Sequence, residues 1–428
     1  MLLDHVKRQI SLGRHIDHSV SDYAARNEHD AGSASRSMPN LRIMFMYWGR
    51  HGLSRFVRDL AHATVADPNG GATVSLSRQN EEAMSFGQLG PRLFLVDTFT
   101  ASHGAITQAW RIPLLRRDLV VQLKKDRTDA VIDLMPHVWS PFVVSAIQGA
   151  GVRYICVVHD ADGHPGDRSA VVTPFLRRAA YQADHVLTLS HAAGNRLLAS
   201  GRLRPNCLSA LFHPDLLFAA RHIQRRSPSA GAPLRLLFLG RIMTYKGLPL
   251  FLDTVDRLRA EGVAVSPGVF GEGSIAAHAR RMVEMGVELI NRRLSDEEVG
   301  DVLLRYDALI ASHVEASQSG VVAAALGAGL PCIVTPMGGL VEQIADGETG
   351  IVADEPTASA LSAAVRRLFL TPNLYPTICL TIALRRDQRS MNRFLTECVR
   401  VAAGVTSKRQ CAASIRQRGA QDENRISA

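Results

Sequence analysis

The stretch EASQSGVVAAALGAGLPCIVTPMGGLVEQIADGETG, residues 315–350, decides the fold. One acid, Glu315, opens it, and a polar turn at 317–320 leads into an alanine-rich apolar run with helical spacing. A glycine and a proline end that run, and residues 332–335 have the composition of a short buried strand. The glycine pair at 338–339 then begins a second helix. This order of loop, helix, strand and helix predicts part of an α/β sheet.

The polar turn of this stretch has the features of a phosphate site. Ser319 and Gly320 lie in the turn, and Val321 follows at the start of the predicted helix. Backbone N–H groups at a helix N-terminus lie beside the positive end of the helix dipole and bind phosphate. An ordinary connection between a strand and a helix looks the same, so the turn alone leaves both interpretations open.

The composition indicates a globular protein of two or three domains. The chain has 428 residues, of which 46% are hydrophobic and 21% are charged. It contains no apolar run of about 18 residues, and its first 20 residues lack the apolar segment of a signal peptide. We therefore expect a cytoplasmic protein.

Cysteine spacing and net charge narrow the class of ligand. The six cysteines form no CxxC pair, which argues against a zinc or redox site. The formal net charge of +9 favours anionic ligands such as nucleotides, nucleic acid or acidic lipid. Because no nucleic-acid-binding motif is present, nucleic acid is the weaker choice.

Apolar runs alternate with helical patterns along the chain, on both sides of a break that ends in Ser, Pro, Ala and Gly at 227–233. Runs without strict period-2 alternation predict mostly parallel sheets covered on both faces. Predicted strands lie at 41–47, 73–76, 93–96, 130–134, 154–158, 185–189, 208–212, 234–239, 268–270, 287–290, 308–312 and 332–335. Two such halves joined by a linker predict a ligand cleft between them.

The same patterns divide the chain into segments. The predicted core consists of a first domain at 41–215, a linker at 216–233 and a second domain at 234–372. A mobile N-terminal arm is predicted at 1–40. Helices at 373–403 are predicted to pack back on the first domain, and a disordered tail is predicted at 404–428.

Two cations, Arg241 and Lys246, follow a predicted strand inside GRIMTYKG, residues 240–247. At the carboxyl end of a strand they predict a clamp for a diphosphate, with Arg as a rigid fork and Lys as a point charge. A solvated basic turn is the alternative. The phosphate-binding features at 319–320, in the same half of the chain, favour the clamp.

Three other polar side chains follow strands or turns. Glu315 is placed to accept hydrogen bonds from sugar hydroxyls, or else to pair with a neighbouring cation. For Glu342, in the first turn of a helix, stabilisation of that helix dipole is the favoured role. His159 lies at the carboxyl end of a strand, where α/β proteins gather reactive groups. The run HDADGHPGD at 159–167 lacks a standard ligand spacing, which disfavours a metal site.

The segment 112–127, IPLLRRDLVVQLKKDR, predicts a basic amphipathic helix. Such a helix can rest on anionic lipid. A surface helix packed on the sheet, with its charged face in solvent, is the favoured alternative.

Three motifs in order, GRIMTYKG, FGEGS (270–274) and the stretch 315–344, resemble the nucleotide-sugar-dependent glycosyltransferases of family 4. The resemblance covers about residues 41–400. It implies the GT-B fold, in which two Rossmann-like doubly wound parallel-sheet domains face a central cleft. It also implies sugar transfer from a nucleoside diphosphate sugar to an acceptor hydroxyl with retention, without a metal ion or another cofactor.

Family roles carry over to matching positions of this chain. The resemblance implies that Arg241 and Lys246, with Gly240, bind the donor diphosphate, and that Ser319, Gly320 and Val321 offer backbone N–H groups. It implies that Glu315 contacts the donor sugar and that His159 lies near the reacting sugar. It also implies that the loop at His51 and Gly52 faces donor phosphate and acceptor, and that Asn291 and Arg292 lie where the base is held. His159, Arg241, Lys246 and Glu315 are the residues assigned to catalysis.

The chain departs from the family pattern at one position. The second acid of the family motif, which holds the ribose, is replaced by Ala323 or Ala324, depending on the direction of alignment. The implied role is synthesis of cell-surface polysaccharide, with a saccharide or a lipid-linked saccharide as acceptor and peripheral contact with the inner face of the membrane. A nucleotide-sugar epimerase of the same fold and a catalytically weak sugar-nucleotide-binding protein are the alternatives.

Overall fold

Two parallel β-sheets organise the chain. The structure, a computed structural model, describes residues 41–405 except 51, 67–71, 102, 161–172, 219–224, 226 and 230. The predicted arm at 1–40, residues 406–428 of the predicted tail and part of the predicted linker lie outside the described residues. None of the described helices has the length and apolar character needed to cross a bilayer.

The first sheet has seven strands in the order β3-β2-β1-β4-β5-β6-β7, all parallel. They are β1 (Ile43–Tyr47), β2 (Thr73–Ser77), β3 (Leu93–Val96), β4 (Ala130–Met135), β5 (Arg153–Val158), β6 (His185–Thr188) and β7 (Leu208–Ala210). The direction of winding reverses between β1 and β4, and ligands of doubly wound sheets bind at the carboxyl ends of the strands beside such a reversal.

The second sheet has six parallel strands in the order β10-β9-β8-β11-β12-β13. They are β8 (Leu234–Leu239), β9 (Val265–Phe270), β10 (Glu288–Ile290), β11 (Ala308–Ala311), β12 (Cys332–Val334) and β13 (Gly350–Val352). Here the reversal lies between β8 and β11. The predicted fold class, two doubly wound α/β domains, is therefore confirmed.

Helices lie between most of the strands. In the first domain they are α1 (Ser54–Ala66), α2 (Gly104–Thr107), α3 (Ile112–Lys125), α4 (Ser140–Gly149), α5 (Thr173–Gln182) and α6 (His191–Ala199). In the second part of the chain they are α7 (Leu248–Ala260), α8 (Ala279–Glu284), α9 (Asp296–Arg305), α10 (Gly320–Gly327), α11 (Leu340–Gln343), α12 (Ala358–Leu370), α13 (Leu374–Leu384) and α14 (Met391–Gly404).

Strand β1 shows why the apolar runs lack alternation. Phe45 and Tyr47 belong to the larger hydrophobic core, whereas Met44 and Met46 belong to a second core on the opposite face of the sheet. All five residues of β1 are buried. Because helices cover both faces of the sheet, a central strand such as β1 can be apolar on both sides.

Some element bounds differ from the sequence prediction, for local reasons. Strand β9 begins at Val265, three residues before the predicted start, and includes Pro267. Pairing with β10 begins only at Gly268, so the missing N–H of Pro267 interrupts no bond on that side. The three-residue strand β13 was not predicted. Gly350 fits there because a Cβ would lie 2.3 Å from the carbonyl oxygen of Cys332.

The helices that follow residue 373 divide between the two domains. Tyr375 of α13 stacks on Phe369 of α12 at 5.2 Å between ring centroids, which keeps α13 on the second domain. Helix α14 packs on α1 of the first domain, where the rings of Phe394 and Phe56 lie 5.4 Å apart. The C-terminal helix therefore joins the two domains.

We expect Phe394→Ala to lower the free energy of unfolding by about 3–5 kcal/mol, because it leaves a cavity between α14 and α1. Urea denaturation followed by fluorescence measures the change. Leu384→Ala, at a side chain 70% exposed, is the matched control and should stay within about 0.5 kcal/mol of the parent protein. Equal effects of the two substitutions would contradict this packing.

Candidate active site

Two turns of the second domain meet because β8 and β11 are neighbours. Gly240 has a φ of 110°, and a Cβ there would lie 3.0 Å from the side chain of Val321 at the start of α10. Gly247, with a φ of 70°, packs on the carbonyl oxygen of Ser312, which would lie 1.9 Å from a Cβ. The predicted cation turn at 240–247 thus lies against the N-terminus of α10.

Lys246 lies in the crevice between these turns. Its Nζ donates to Nε2 of His313 over 2.7 Å, and the Ser319 hydroxyl lies 3.4 Å from the same nitrogen. Burial and then the charge of Arg241 lower the pKa of Lys246 to about 8, against a smaller opposite effect of Asp160. His313 was missed at the sequence level, because a single His after an apolar strand carries no motif.

The N-terminus of α10 is fixed by the amide side chain of Gln343. Its Oε1 accepts from the backbone N–H of Ser319 at 2.7 Å, and its Nε2 donates to the carbonyl oxygen of the same residue at 3.1 Å. Ser319 is the residue before the helix, and Gly320 and Val321 form its first turn. A fixed helix N-terminus at a strand end is suited to an anion.

Glu315 lies in the loop between β11 and α10 and pairs with the first domain. Its carboxylate accepts from Arg196 of α6 at 2.9 Å, and both side chains are partly exposed. The structure thus contains the ion pair that was the alternative to a sugar contact. Because a carboxylate accepts several hydrogen bonds, the ion pair with Arg196 does not by itself exclude a contact of Glu315 with a sugar.

Glu342 has a different role from the predicted one. It lies in the first turn of α11, but its carboxylate accepts from the backbone N–H groups of His191 and Ala192 at 2.6 and 2.7 Å. It therefore stabilises the N-terminus of α6, in the other domain, where a negative charge is favourable. Ser190, the residue before α6, donates from its hydroxyl to the carbonyl oxygen of Ser317 at 2.6 Å.

The rings of His159 and His213 both make edge contacts with the ring of Phe56. The ring centroids of His159 and His213 are 6.2 and 5.7 Å from that of Phe56. His159 donates from Nε2 to the carbonyl oxygen of Leu134 at 2.8 Å, and burial lowers its pKa. Burial also lowers the pKa of His213 to about 4. Its Nε2 lies 4.0 Å from the place of a Cβ on Gly320, so His213 belongs to the same crevice.

The other predicted site residues are less closely grouped. Gly52 is exposed with a φ of 92°, and the neighbouring His51 lies outside the described residues, as do residues 161–167 of the HDADGHPGD run. Asn291 accepts from the backbone N–H of Gly273 at 3.1 Å. Arg292 forms a two-bond ion pair with Glu298, so its guanidinium is directed to the start of α9.

The two positions of the missing acid lie inside the second domain. The side chains of Ala323 and Ala324 are both buried. The carbonyl oxygen of Ala323 accepts from the backbone N–H of Leu216, in the chain segment that crosses α10. Among the described residues, no group of three or more His, Cys, Asp or Glu side chains is placed to hold a metal ion.

Comparison with known proteins agrees with this arrangement. Residues 233–370 match the family model of "Glycosyl transferases group 1". The chain is 24% identical over 379 residues to glycogen synthase of Mycobacterium tuberculosis, with 84% of this chain and 83% of that protein covered.

Solved structures share the fold. Anabaena Alr3699/HepE in complex with UDP superposes with a TM-score of 0.62 at 14% identity, over 84% of this chain and all of that chain. The lipopolysaccharide outer core galactosyltransferase WaaB superposes with a TM-score of 0.59 at 17% identity, over 82% and 97% of the two chains. Fold and matches together define the chain as a glycosyltransferase with the GT-B architecture, whose second half carries a group 1 glycosyltransferase domain.

We expect Glu342→Gln to loosen the contact between the domains, because the two N–H groups at the start of α6 lose a charged acceptor. Hydrogen exchange at residues 191–193 should become several-fold faster. Glu355→Gln, at an exposed position before α12, is the matched control and should change nothing there. Unchanged exchange in the Glu342 variant would contradict a role in holding α6.

Proposed function

We propose that the protein transfers a sugar from a nucleoside diphosphate sugar to an acceptor hydroxyl, with retention at the anomeric carbon. One observation carries the proposal: the turn with Arg241 and Lys246 packs against the N-terminus of α10 at the reversal of the second sheet. This places two cations and a helix dipole around one crevice. A UDP complex of a protein with the same fold supports a nucleotide as the ligand.

The chemistry of the leaving group explains these residues. As the bond between the sugar and the diphosphate breaks, negative charge grows on the diphosphate. Fixed donors aimed at that charge stabilise the transition state. Arg241, Lys246 and the backbone N–H groups of Gly320 and Val321 are these donors in the proposal, which includes no metal ion. The N–H of Ser319, which the resemblance also assigned to the phosphate, is engaged by Gln343. His313 acts on the diphosphate indirectly, by holding the ammonium of Lys246 in place.

The donor sugar is assigned to the space between Glu315 and His159. Glu315 would accept from sugar hydroxyls in addition to its ion pair with Arg196. The Nε2 proton of His159 is engaged by the carbonyl oxygen of Leu134, so His159 orients the sugar and is not a base through that nitrogen. Attack from the front face, assisted by the leaving phosphate, needs no protein nucleophile.

For the acceptor, we propose a saccharide or a lipid-linked saccharide used in cell-surface polysaccharide synthesis. The likeness of fold to a galactosyltransferase of the lipopolysaccharide outer core supports this class. A lipid-linked acceptor would place the protein at the inner face of the plasma membrane.

A screen of the purified protein tests the proposal as a whole. Thermal shifts with UDP, GDP and ADP identify the nucleotide, and labelled donors of that nucleotide then identify the sugar. NMR of the product gives the anomeric configuration, where inversion would refute the mechanism. Release of an epimerised nucleotide sugar would identify the epimerase alternative, and binding without turnover would identify the weak relative.

We expect Arg241→Ala to lower kcat/KM for the donor by at least about 100-fold, because one charged donor to the leaving diphosphate is lost. Circular dichroism and the unfolding midpoint should stay unchanged, since Arg241 is exposed. Arg280→Ala, at an exposed arginine of α8, is the matched control and should keep full activity. Undiminished turnover in the Arg241 variant would refute the clamp.

Binding of the nucleoside diphosphate should weaken above pH 8. The pKa of Lys246 is lowered to about 8, and only its protonated form attracts the diphosphate. Affinity should therefore be constant well below pH 8, begin to fall near pH 8 and approach a decrease of about tenfold per pH unit well above it. Titration calorimetry from pH 7.5 to 9.5 measures this fall. Lys246→Arg stays charged and should remove it, whereas an unchanged fall in that variant would exclude Lys246 as its source.

A further inference from the structure

A stripe of exposed apolar side chains runs along the outside of the first domain. It consists of Ile106, Trp110, Leu114 and Val121, which are 83%, 65%, 47% and 61% exposed, and we call it the Trp110 surface. Ile106 belongs to α2, Trp110 to the 3₁₀ turn before α3, and Leu114 and Val121 to α3 itself. Four large apolar side chains exposed in succession mark an interaction site.

This stripe differs from the apolar face that the sequence pattern of 112–127 suggested for lipid. Leu115, Leu119 and Leu123 form that face and are buried in the core under α3. They hold the helix on the sheet, in agreement with the favoured prediction of a surface helix packed on the sheet. The Trp110 surface lies on the outer side of the same helix, so α3 carries apolar residues on two faces.

The segment that carries the Trp110 surface is rich in cations. They are Arg111, Arg116, Arg117, Lys124 and Lys125, and of these Arg116 donates to the Ser145 hydroxyl of α4. The guanidinium of Arg111 lies 5.4 Å from the ring centroid of Trp110. Of the acids in the same helix region, Asp118 pairs with Arg117 at 2.9 Å, and Asp126 accepts from Gln122. With five cations and two acids between residues 106 and 126, this segment has a net positive charge.

The Trp110 surface is rigidly connected to the carboxyl edge of the first sheet. The indole N–H of Trp139 donates to the carbonyl oxygen of Ala105 in α2 at 3.0 Å. The ring of Phe99 lies 4.9 Å from that of His137 and 5.2 Å from that of Trp139. His137 and Trp139 follow β4, which lies at the reversal of this sheet. The surface therefore lies beside the acceptor half of the proposed cleft.

We propose that the Trp110 surface docks on an anionic phospholipid bilayer. An exposed indole with aliphatic neighbours inserts at the level of the headgroups, and surrounding Arg and Lys side chains attract acidic lipid. A stable protein interface takes about 20–30 residues a side, far more than this stripe provides. The inference rests on the proposed function only in that docking would bring a lipid-linked acceptor to the cleft.

Flotation of the full chain with vesicles tests the docking. The protein should float with phosphatidylcholine vesicles that contain 30% phosphatidylglycerol, not with pure phosphatidylcholine, and less in high salt. The double variant Ile106→Ser with Trp110→Ser should lose at least about nine tenths of the floating fraction. The matched control, Val283→Ser with Leu384→Ser, removes two other exposed apolar side chains and should float normally.

The tryptophans provide a second readout. The chain has three, of which Trp48 and Trp139 are buried and Trp110 is exposed. Emission should therefore shift to shorter wavelength on addition of anionic vesicles, and Trp110→Phe should remove the shift while the protein still floats. Flotation without a shift, or flotation unchanged by the double serine variant, would overturn the proposal. So would flotation that requires self-association, which light scattering detects.

Donor chemistry separates this proposal from the proposed function. The double serine variant should bind nucleotide and turn over donor with a water-soluble acceptor as the parent protein does. Loss of flotation with full turnover supports the docking surface. A parent protein that floats and shifts its emission but turns over no donor would leave the docking surface in place and refute the transferase proposal.

Discussion

The loop that follows β11 is held by three glycines that leave no space for a Cβ. A Cβ on Gly247 would lie 1.9 Å from the carbonyl oxygen of Ser312. A Cβ on Gly338 would lie equally close to the carbonyl oxygen of Ala316, and a Cβ on Gly339 equally close to that of Ser317. No side chain fits at such a distance. The close contacts that the loop makes with the backbone on both of its sides therefore depend on glycine. His313, Glu315 and the start of α10 take their positions from this loop.

The same loop also connects the two domains. Gly339 approaches Ser190, whose hydroxyl bonds the carbonyl oxygen of Ser317, and Glu342 stabilises the helix that Ser190 begins. Glu315 adds an ion pair to Arg196 of that helix. A change in the separation of the domains would therefore move these groups relative to the crevice that contains Lys246. In the proposed function, contacts that close the cleft and contacts that hold the donor share one segment of backbone.

The fold class and the position of the two cations at the end of β8 could be predicted from the sequence because their signals are local. Apolar runs ended by glycine turns mark the strands, and Arg241 and Lys246 follow β8 directly. The order of strands in each sheet could not be predicted, since it depends on which strands pair. His213 and Arg196 were missed for a similar reason. They lie far from the motifs in the chain and reach the crevice only because α1, α6 and α14 bring the domains together.

Glu342 shows the limit of helix rules in particular. A glutamate in the first turn of a helix stabilises the positive end of that helix. Nothing in the sequence indicates another group from which the Glu342 carboxylate would accept a hydrogen bond. In the structure its carboxylate reaches the first turn of α6, about 150 residues earlier in the chain, because glycines at 338 and 339 let α11 approach so closely. The sequence correctly predicted that the Glu342 carboxylate stabilises a helix N-terminus. It predicted the wrong helix, because the carboxylate acts on α6 and not on α11.

The packing around α10 is consistent with alanine, in place of the second acid of the family motif, at positions 323 and 324. That helix is apolar on all sides, and its residues 322–327 are buried. The segment with Leu216 crosses it so closely that a Cβ on Gly327 would lie 2.3 Å from the carbonyl oxygen of Leu216. A carboxylate at 323 or 324 would lose its water on burial, which is costly unless a partner compensates it. The small apolar side chain of alanine fits this packing without that cost.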